Sequence, residues 1–329
     1  MDLGEIQVEG SGGGGRRGGQ DPGSLRQDMT RNAESVGGIG RHMINLTRLW
    51  TGQEQPADHL RYGHGKGAPA TSAGRKPIVV WNITRTCNLR CVHCYSDSDR
   101  KAYSGELGLE ECLGVIDDLA DYGIPGLLLS GGEPMVHPHF WKLAEHARGR
   151  GLRLTLSTNG TLIDAEKAAR LKELDFAYIG ISLDGIGAVH DEFRRTPGSF
   201  ERAVAAFRHL RGVGQKTGLR FTLTKHNASN IEEVLDFIGR EEIQRVCFYH
   251  LVPSGRGGAL QLLAPDESRR VLDTLLARID RWAAEGVTRE VLTVTQPADG
   301  IYLMLRQERE APERAGETNR LLSWNGGAN

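Results

Sequence analysis

From Pro77 onward the apolar positions follow two alternating periods. Short runs rich in β-branched residues and leucine read as buried strands: IVVWNIT (78–84), GLLLS (126–130), LRLTLST (152–158), AYIGISL (177–183), GLRFTLT (218–224) and VCFYHLV (246–252). Helical spacing fills the intervals. LEECLGVIDDLADYG carries apolar residues at 109, 112, 113, 116, 119 and 120 and stops at Gly123. Further helices are predicted over 138–150, over DAEKAARLKEL (164–174), over SFERAVAAFRHLRGVG, capped by Ser199 and ended by Gly212 or Gly214, and over NIEEVLDFIGREE. Six strand–helix repeats imply an α/β fold whose parallel sheet is covered by helices on its outer face. The pattern by itself fits a doubly wound sheet or a partial barrel. In either, chemistry belongs after the carboxyl ends of the strands.

The flanks read differently. Residues 1–42 are rich in Gly, Arg, Asp and Ser without periodicity and are expected to be a disordered leader. RHMINLTRLW (41–50) reads as a short amphipathic turn or helix with Met43, Ile44, Leu46 and Leu49 on one side, and a polar, Gly-rich linker runs on to residue 76. The core is placed at 77–258 and a helical extension at 259–329.

Composition narrows the class. The chain has 329 residues, 39 % of them hydrophobic, enough for a substantial core, and its formal charge of −1 offers nothing to nucleic acid. No apolar run could cross a bilayer, and the N-terminus lacks the apolar stretch of a secretory signal. Five cysteines, three of them bunched, argue against a disulfide scaffold and for a reducing, cytoplasmic setting.

The bunched cysteines carry the strongest chemical signal. CNLRCVHC follows the first strand directly, so Cys87, Cys91 and Cys94 can converge on one compact loop. Thiolates select an iron–sulfur cluster or zinc over harder metals. Zinc is the weaker reading: a structural site needs four protein ligands, and His93 sits inside the loop, where closing a tetrahedron would be strained. Cys112 lies on the apolar face of its helix and Cys247 within a strand, places where a free cysteine packs as a small hydrophobe.

CX3CX2C after the first strand and GGEP after the second resemble the radical S-adenosylmethionine (SAM) superfamily. The resemblance implies a partial (β/α)6 barrel, a 4Fe-4S cluster held by the three cysteines, and SAM bound at the open iron. It also implies SAM contacts from Gly131, Gly132, Glu133 and Pro134 in GGEP, from Thr158 and Asn159 in STNG, and from Ser182 and Asp184 in ISLDG. Arg194 in HDEFRR matches an arginine that pairs with the methionyl carboxylate, and Leu251 lies where backbone contacts to adenine are expected. His93 stands where the family most often has an aromatic ring near adenine.

A narrower resemblance links MINLTRLWTG, WNITRTCNLRCVHCYSDS, ISLDGIGAVHDEFRR, RFTLTKHN, HLVPSGRG, ADGIYLMLR and LLSWNGGAN to the branch acting on modified tetrapyrroles. That branch includes the heme d1 biosynthesis proteins and the 12,18-didecarboxysiroheme deacetylases. It implies radical removal of tetrapyrrole side chains, propionates in the first case and acetates in the second, with a reductant such as flavodoxin or ferredoxin. Arg85, Arg90, Arg220, His250 and Arg256 are candidate cations for the substrate carboxylates. Members of the branch continue past WNGG into a region whose cysteines bind an auxiliary cluster, whereas here no cysteine follows Cys247. The expectation from that difference is an open barrel mouth and SAM cleavage uncoupled from tetrapyrrole turnover. Two other readings stand beside this one: a peptide-maturing radical SAM enzyme, and a catalytically silent cluster- or zinc-binding protein.

Overall fold

The computed structural model describes residues 43–55, residue 58 and residues 76–325; the expected leader and most of the linker lie outside them. One eight-stranded sheet organises these residues. In chain order its strands are β1 (Met43–Asn45), β2 (Val79–Asn82), β3 (Leu127–Ser130), β4 (Leu154–Thr158), β5 (Tyr178–Ser182), β6 (Thr217–Leu223), β7 (Arg245–His250) and β8 (Glu290–Val294). They lie in the order β1-β8-β7-β6-β5-β4-β3-β2. Strands β2 to β8 run parallel, and β1 pairs antiparallel with β8. Consecutive parallel neighbours joined through helices are the signature of a wound half-barrel, so the partial-barrel alternative holds.

The helices are α1 (Leu46–Thr51), α2 (Leu109–Tyr122), α3 (Phe140–Gly149), α4 (Ala165–Glu173), α5 (Ala188–Arg194), α6 (Ser199–Gly212), α7 (Ile231–Arg240), α8 (Pro265–Ala284), α9 (Ala298–Glu310) and α10 (Pro312–Asn325). Gly123 closes α2 in the left-handed conformation at φ 79°, as its sequence position predicted. Asp164 caps α4 by accepting the Lys167 N–H at 2.9 Å. Ser199 is the first residue of α6 rather than its cap. The capping acceptor is Asp191, whose carboxylate takes the N–H of Gly198 and Phe200 and the Ser199 hydroxyl.

Two stretches depart from the sequence expectation. Met43–Asn45, expected in a turn or helix, is a strand, and α1 begins only at Leu46, where Asn45 Oδ1 accepts the Arg48 N–H. The expected helical extension contains β8, all five of whose residues are buried. The two meet where Thr47 Oγ1 donates to Arg289 O at 2.7 Å and accepts the Val291 N–H at 3.1 Å. The parallel strands thus number seven rather than six.

The sheet's two faces differ chemically. Leu127, Leu129, Leu154, Leu156, Ile179, Ile181, Leu219, Phe221, Val246 and Phe248 point outward into one continuous core beneath the helices. On the inner face of β5 and β6 the alternate residues are Gly180 and Ser182, then Gly218, Arg220 and Thr222. Further along, Cys247, Leu292 and Val294 form a small separate cluster with Met43 and Tyr249. An apolar outer face and a partly polar, glycine-interrupted inner face leave the hollow of the half-barrel as the place for chemistry.

Candidate active site at the carboxyl rim

The cysteine loop leaves β2 and is held from three sides. Cys87 N–H donates to Asp99 O at 3.0 Å, closing the loop on itself, and Val92 N–H donates to Phe193 O on α5 at 2.8 Å. The third side is Arg256, after β7. Its guanidinium donates to Cys91 O, to Ser98 O and to Asp97 Oδ1, and its own N–H reaches Cys94 O. Gly255 makes this docking possible, because a Cβ there would stand 2.5 Å from the carbonyl oxygens of both Cys94 and Tyr95.

GGEP runs past the entrance of the same loop. Gly132 N–H donates to Thr84 O at 2.7 Å and Glu133 N–H to Thr86 O at 3.0 Å. A Cβ on Gly131 would meet Thr84 O at 2.3 Å, and one on Gly132 would meet Thr86 O at 2.3 Å. The two glycines therefore serve close backbone approach rather than an ordinary turn.

Each of the three sulfurs accepts a donor. Leu89 N–H points at Cys87 Sγ (3.4 Å), Arg194 Nη1 at Cys91 Sγ (3.3 Å) and Ser98 N–H at Cys94 Sγ (3.3 Å), and Ser96 Oγ also lies 3.4 Å from Cys94 Sγ. Donors aimed at sulfur suit thiolates. As free thiols the three differ. Burial pushes Cys87 up to about 12 and raises Cys91 against the pull of Arg194. Burial also opposes ionisation of Cys94, but the Ser96 and Ser98 hydrogen bonds and the Arg256 charge outweigh it, and its pKa falls. Among the described residues no three His, Cys, Asp or Glu side chains converge on the position of a single metal ion. A 4Fe-4S cube asks for something different, one thiolate per iron at three separate corners.

Behind the loop lies a buried polar framework. Glu133 is fully buried and accepts the Thr158 hydroxyl (2.8 Å) and the N–H groups of Asn159 (2.8 Å) and Met135 (3.2 Å). Burial still prevails and pushes its carboxyl up to about 7. Asn159 Nδ2 links this carboxylate to the loop through Asn88 Oδ1 at 2.8 Å.

On the other side, Asp184 Oδ1 accepts the Thr222 N–H at 3.1 Å. Its Oδ2 stands 2.5 Å from Arg194 Nη2 and 3.4 Å from His93 Nε2, at ion-pair distance without hydrogen-bond alignment. Burial opposes ionisation of Asp184, yet Arg194 and His93 prevail and hold the carboxyl below its usual range. Burial lowers the His93 pKa against the pull of Asp184, and its ring stands edge-on to Phe193 at 5.6 Å.

Of the residues singled out in the sequence, the three cysteines, GGEP, Thr158, Asn159, Asp184 and Arg194 thus form one bonded constellation. Ser182 ends β5 beside it, and Leu251 follows β7, its N–H on Leu223 O at 3.3 Å. Thr158 and Asn159 grip Glu133, and the Asp184 carboxylate is spent on Arg194. Sequence reasoning missed the clamping role of Arg256, the Asn88–Asn159 link and the Arg194–Cys91 contact; the Gly255–Arg256 pair in SGRG was the one available signal. Cys112 packs as expected at 1 % exposure. Cys247 is buried too, on the inner face rather than in the main core.

A half-barrel with three thiols and a Gly-Gly-Glu-Pro segment at its carboxyl rim defines a class, and the comparisons agree. Residues 81–238 match the model of the radical SAM superfamily. The structure of SuiB from Streptococcus suis bound to S-adenosylmethionine superposes with a TM-score of 0.59 at 16 % identity, over 67 % of this chain and 51 % of that one. Fe-coproporphyrin III synthase of Methanosarcina barkeri is 44 % identical over 87 % of this chain and 73 % of its own length. Pre-heme d1 synthase of Dinoroseobacter shibae is 38 % identical over 77 % of this chain and 64 % of its own.

The chain belongs to the radical SAM superfamily, in its heme-biosynthesis group. It is an enzyme of the kind that works with a 4Fe-4S cluster and SAM. No helix among the described residues is long and apolar enough to cross a membrane.

Proposed function

We propose that this enzyme removes carboxylate side chains from a didecarboxysiroheme-like iron tetrapyrrole, yielding Fe-coproporphyrin III or a closely related product of heme d1 formation. Cys87, Cys91 and Cys94 would hold the cluster. Gly131, Gly132, Glu133 and Pro134 would receive the methionyl end of SAM, with Arg194, oriented by Asp184, facing its carboxylate. Thr158, Asn159, Ser182 and Leu251 would complete the SAM wall. Together the bound cluster and SAM supply a carbon radical able to take hydrogen from an unactivated C–H bond, chemistry that side-chain acids and bases do not reach.

The protein's own part is to keep three sulfurs as acceptors, to fix Arg194 and to exclude water. Burial of Glu133, Asp184 and Cys91 at under 9 % exposure serves that exclusion. A small reductant such as flavodoxin or ferredoxin would deliver the electron.

The observation that carries this reading is the convergence of donors on all three sulfurs beside GGEP, in a chain 44 % identical to a named Fe-coproporphyrin III synthase. Anaerobic reconstitution followed by dithionite, SAM and iron didecarboxysiroheme tests it. 5′-Deoxyadenosine together with loss of two acetate groups by mass is the expected result, and it would set aside the uncoupled SAM cleavage expected from the sequence. 5′-Deoxyadenosine with an untouched tetrapyrrole would overturn the substrate and leave the superfamily chemistry intact.

A further inference from the structure

Five cations were candidates for meeting substrate carboxylates, and the structure separates them. Arg85 lies over the Tyr103 ring and donates to Ser96 O. Arg90 pairs with Asp99 at 3.0 Å, His250 with Asp299 at 2.8 Å, and Arg256 is consumed by the cysteine loop. Arg220 differs from all four. Among the described residues it has no carboxylate partner and no side-chain hydrogen bond; its guanidinium lies over the Tyr249 ring at 4.6 Å. The titratable groups nearest to it are the hydroxyls of Tyr249, Tyr178 and Tyr95 and the thiol of Cys247, none of them a carboxylate.

The placement of Arg220 is built rather than incidental. It sits mid-strand on the inner face of β6, opposite Ser182 and Cys247 in the sheet register. Its stem crosses Gly180, where a Cβ would stand 2.7 Å from Arg220 Cδ. Glycine at that inward position of β5 gives the arginine its bed, and Tyr249 covers one face of the guanidinium. A cation lying over a ring leaves its N–H groups unused by protein, and the guanidinium's N–H edge is the part that grips a carboxylate in bidentate fashion. None of its nitrogens is sealed from solvent without a partner. Arg220 is half-buried on the inward side of β6, so its side chain faces the hollow of the half-barrel, two residues before Thr222, whose N–H holds Asp184. A partly buried arginine without an acid costs stability unless a ligand supplies the anion.

We propose that Arg220 anchors a carboxylate of the substrate inside the barrel, stacked under Tyr249, and so sets which side chain of the tetrapyrrole faces the rim. The assignment rests on the tetrapyrrole reading above. It is a positioning role, since the guanidinium holds a group that does not itself react.

The test is binding rather than turnover. Reconstituted full chain is titrated optically with iron coproporphyrin III and with its tetramethyl ester. Wild type should prefer the acid by about tenfold or more, as expected for one charge-assisted pair. Arg220→Gln should lose most of that preference, and Arg220→Lys should keep part of it. Unchanged affinity and unchanged acid preference in Arg220→Gln would overturn the assignment while leaving the tetrapyrrole reading intact. A wild type that takes up neither porphyrin would overturn the tetrapyrrole reading, and the assignment with it. No ion pair is lost in the variants, so their melting temperatures should stay at or above that of wild type. An early-melting Arg220→Lys, which keeps charge and stem, would mark the guanidinium as a structural prop and overturn the proposal.

Discussion

The carboxyl rim and the inner wall of β5–β7 are neighbours on one sheet and treat charge in opposite ways. At the rim every buried charge is answered by protein. Asp184 meets Arg194, Glu133 is gripped by three donors, and Arg256 is spent on loop carbonyls. On the wall, Arg220 faces the hollow with an aromatic ring and no acid. Paired charges hold their shape before any ligand arrives, which suits a cofactor that must sit in one geometry. An unsatisfied cation waits for its partner, which suits a substrate that comes and goes. The contrast predicts where mutations hurt the fold and where they hurt recognition.

The largest effect should be on iron. Replacing Cys87, Cys91 or Cys94 by Ala should abolish the roughly four irons that one cluster brings per chain. Cys112→Ala should leave iron content near wild type, because its thiol is packed in the helix-covered core, where its hydrogen-bond acceptor is the Leu107 carbonyl at 3.7 Å. Iron and sulfide analysis after anaerobic reconstitution decides it. Iron retained by Cys94→Ala but lost by Cys112→Ala would reverse the ligand assignment.

Next comes the buried ion pair. Asp184→Ala strands the Arg194 guanidinium at 6 % exposure and should cost about 3–5 kcal/mol in urea unfolding of cluster-free protein. Asp184→Leu combined with Arg194→Met should recover much of that loss, because the penalty lies in the unpaired charge. A single variant losing under about 1 kcal/mol would show that the rim network is not what holds this end of the barrel.

Glu133 gives the comparison a pH axis. Its folded pKa, raised to about 7 by burial, lies above the ordinary carboxyl value of 4.5. The folded state therefore binds more protons between those values. The stability this contributes is present below about pH 4.5 and is lost as pH rises through about 7. The span is on the order of 3 kcal/mol at most. Glu133→Gln mimics the protonated acid, so the stability of the cluster-free variant relative to wild type should climb over that interval. Urea melts at pH 5 and pH 8 giving the same difference between the two proteins would refute the shift.

These two regions were also unequally legible in the sequence. Rim chemistry is carried by short motifs directly after strands, so CNLRCVHC, GGEP, STNG and SLDG reveal their places through local pattern alone. What the rim residues do to each other was not legible. Arg194 reaching Cys91 spans 103 residues, and Arg256 clamping Cys91 O spans 165. Such contacts depend on how the strands close, which no local pattern records. The wall was less legible still: Arg220 in GLRFTLT stood in the sequence as one of five candidate cations, with nothing local to set it apart from the other four. Its lack of an acid is a property of β5 and β7, not of β6. Strand β8 was missed although REVLTVT offers β-branched residues between Gly286 and Pro297, because everything from residue 259 onward was read as one helical extension. Strand β1 was missed because three residues are too few for periodicity to register.

The smallest effects come from a matched pair of glycines and draw the contrast most finely. Gly132→Ala at the rim places a Cβ against backbone, 2.3 Å from Thr86 O and 2.6 Å from Arg85 O. Backbone at the root of the cysteine loop cannot step aside without disturbing the loop, so the change should cost about 1–3 kcal/mol. Gly180→Ala on the wall meets only side chains at short range, Arg220 Cδ at 2.7 Å and then Arg220 Cγ and Tyr178 Cε1 at 3.3 Å. An arginine stem open to the hollow can rotate away, and alanine also suits a strand better than glycine does. Its stability change should stay within about 1 kcal/mol of zero. The displaced guanidinium should nonetheless lose its seat under Tyr249, so acid-over-ester preference in the porphyrin titration should fall with little change in melting. Equal destabilisation by the two alanines would mean that wall and rim are equally rigid, and the distinction drawn between them would fail.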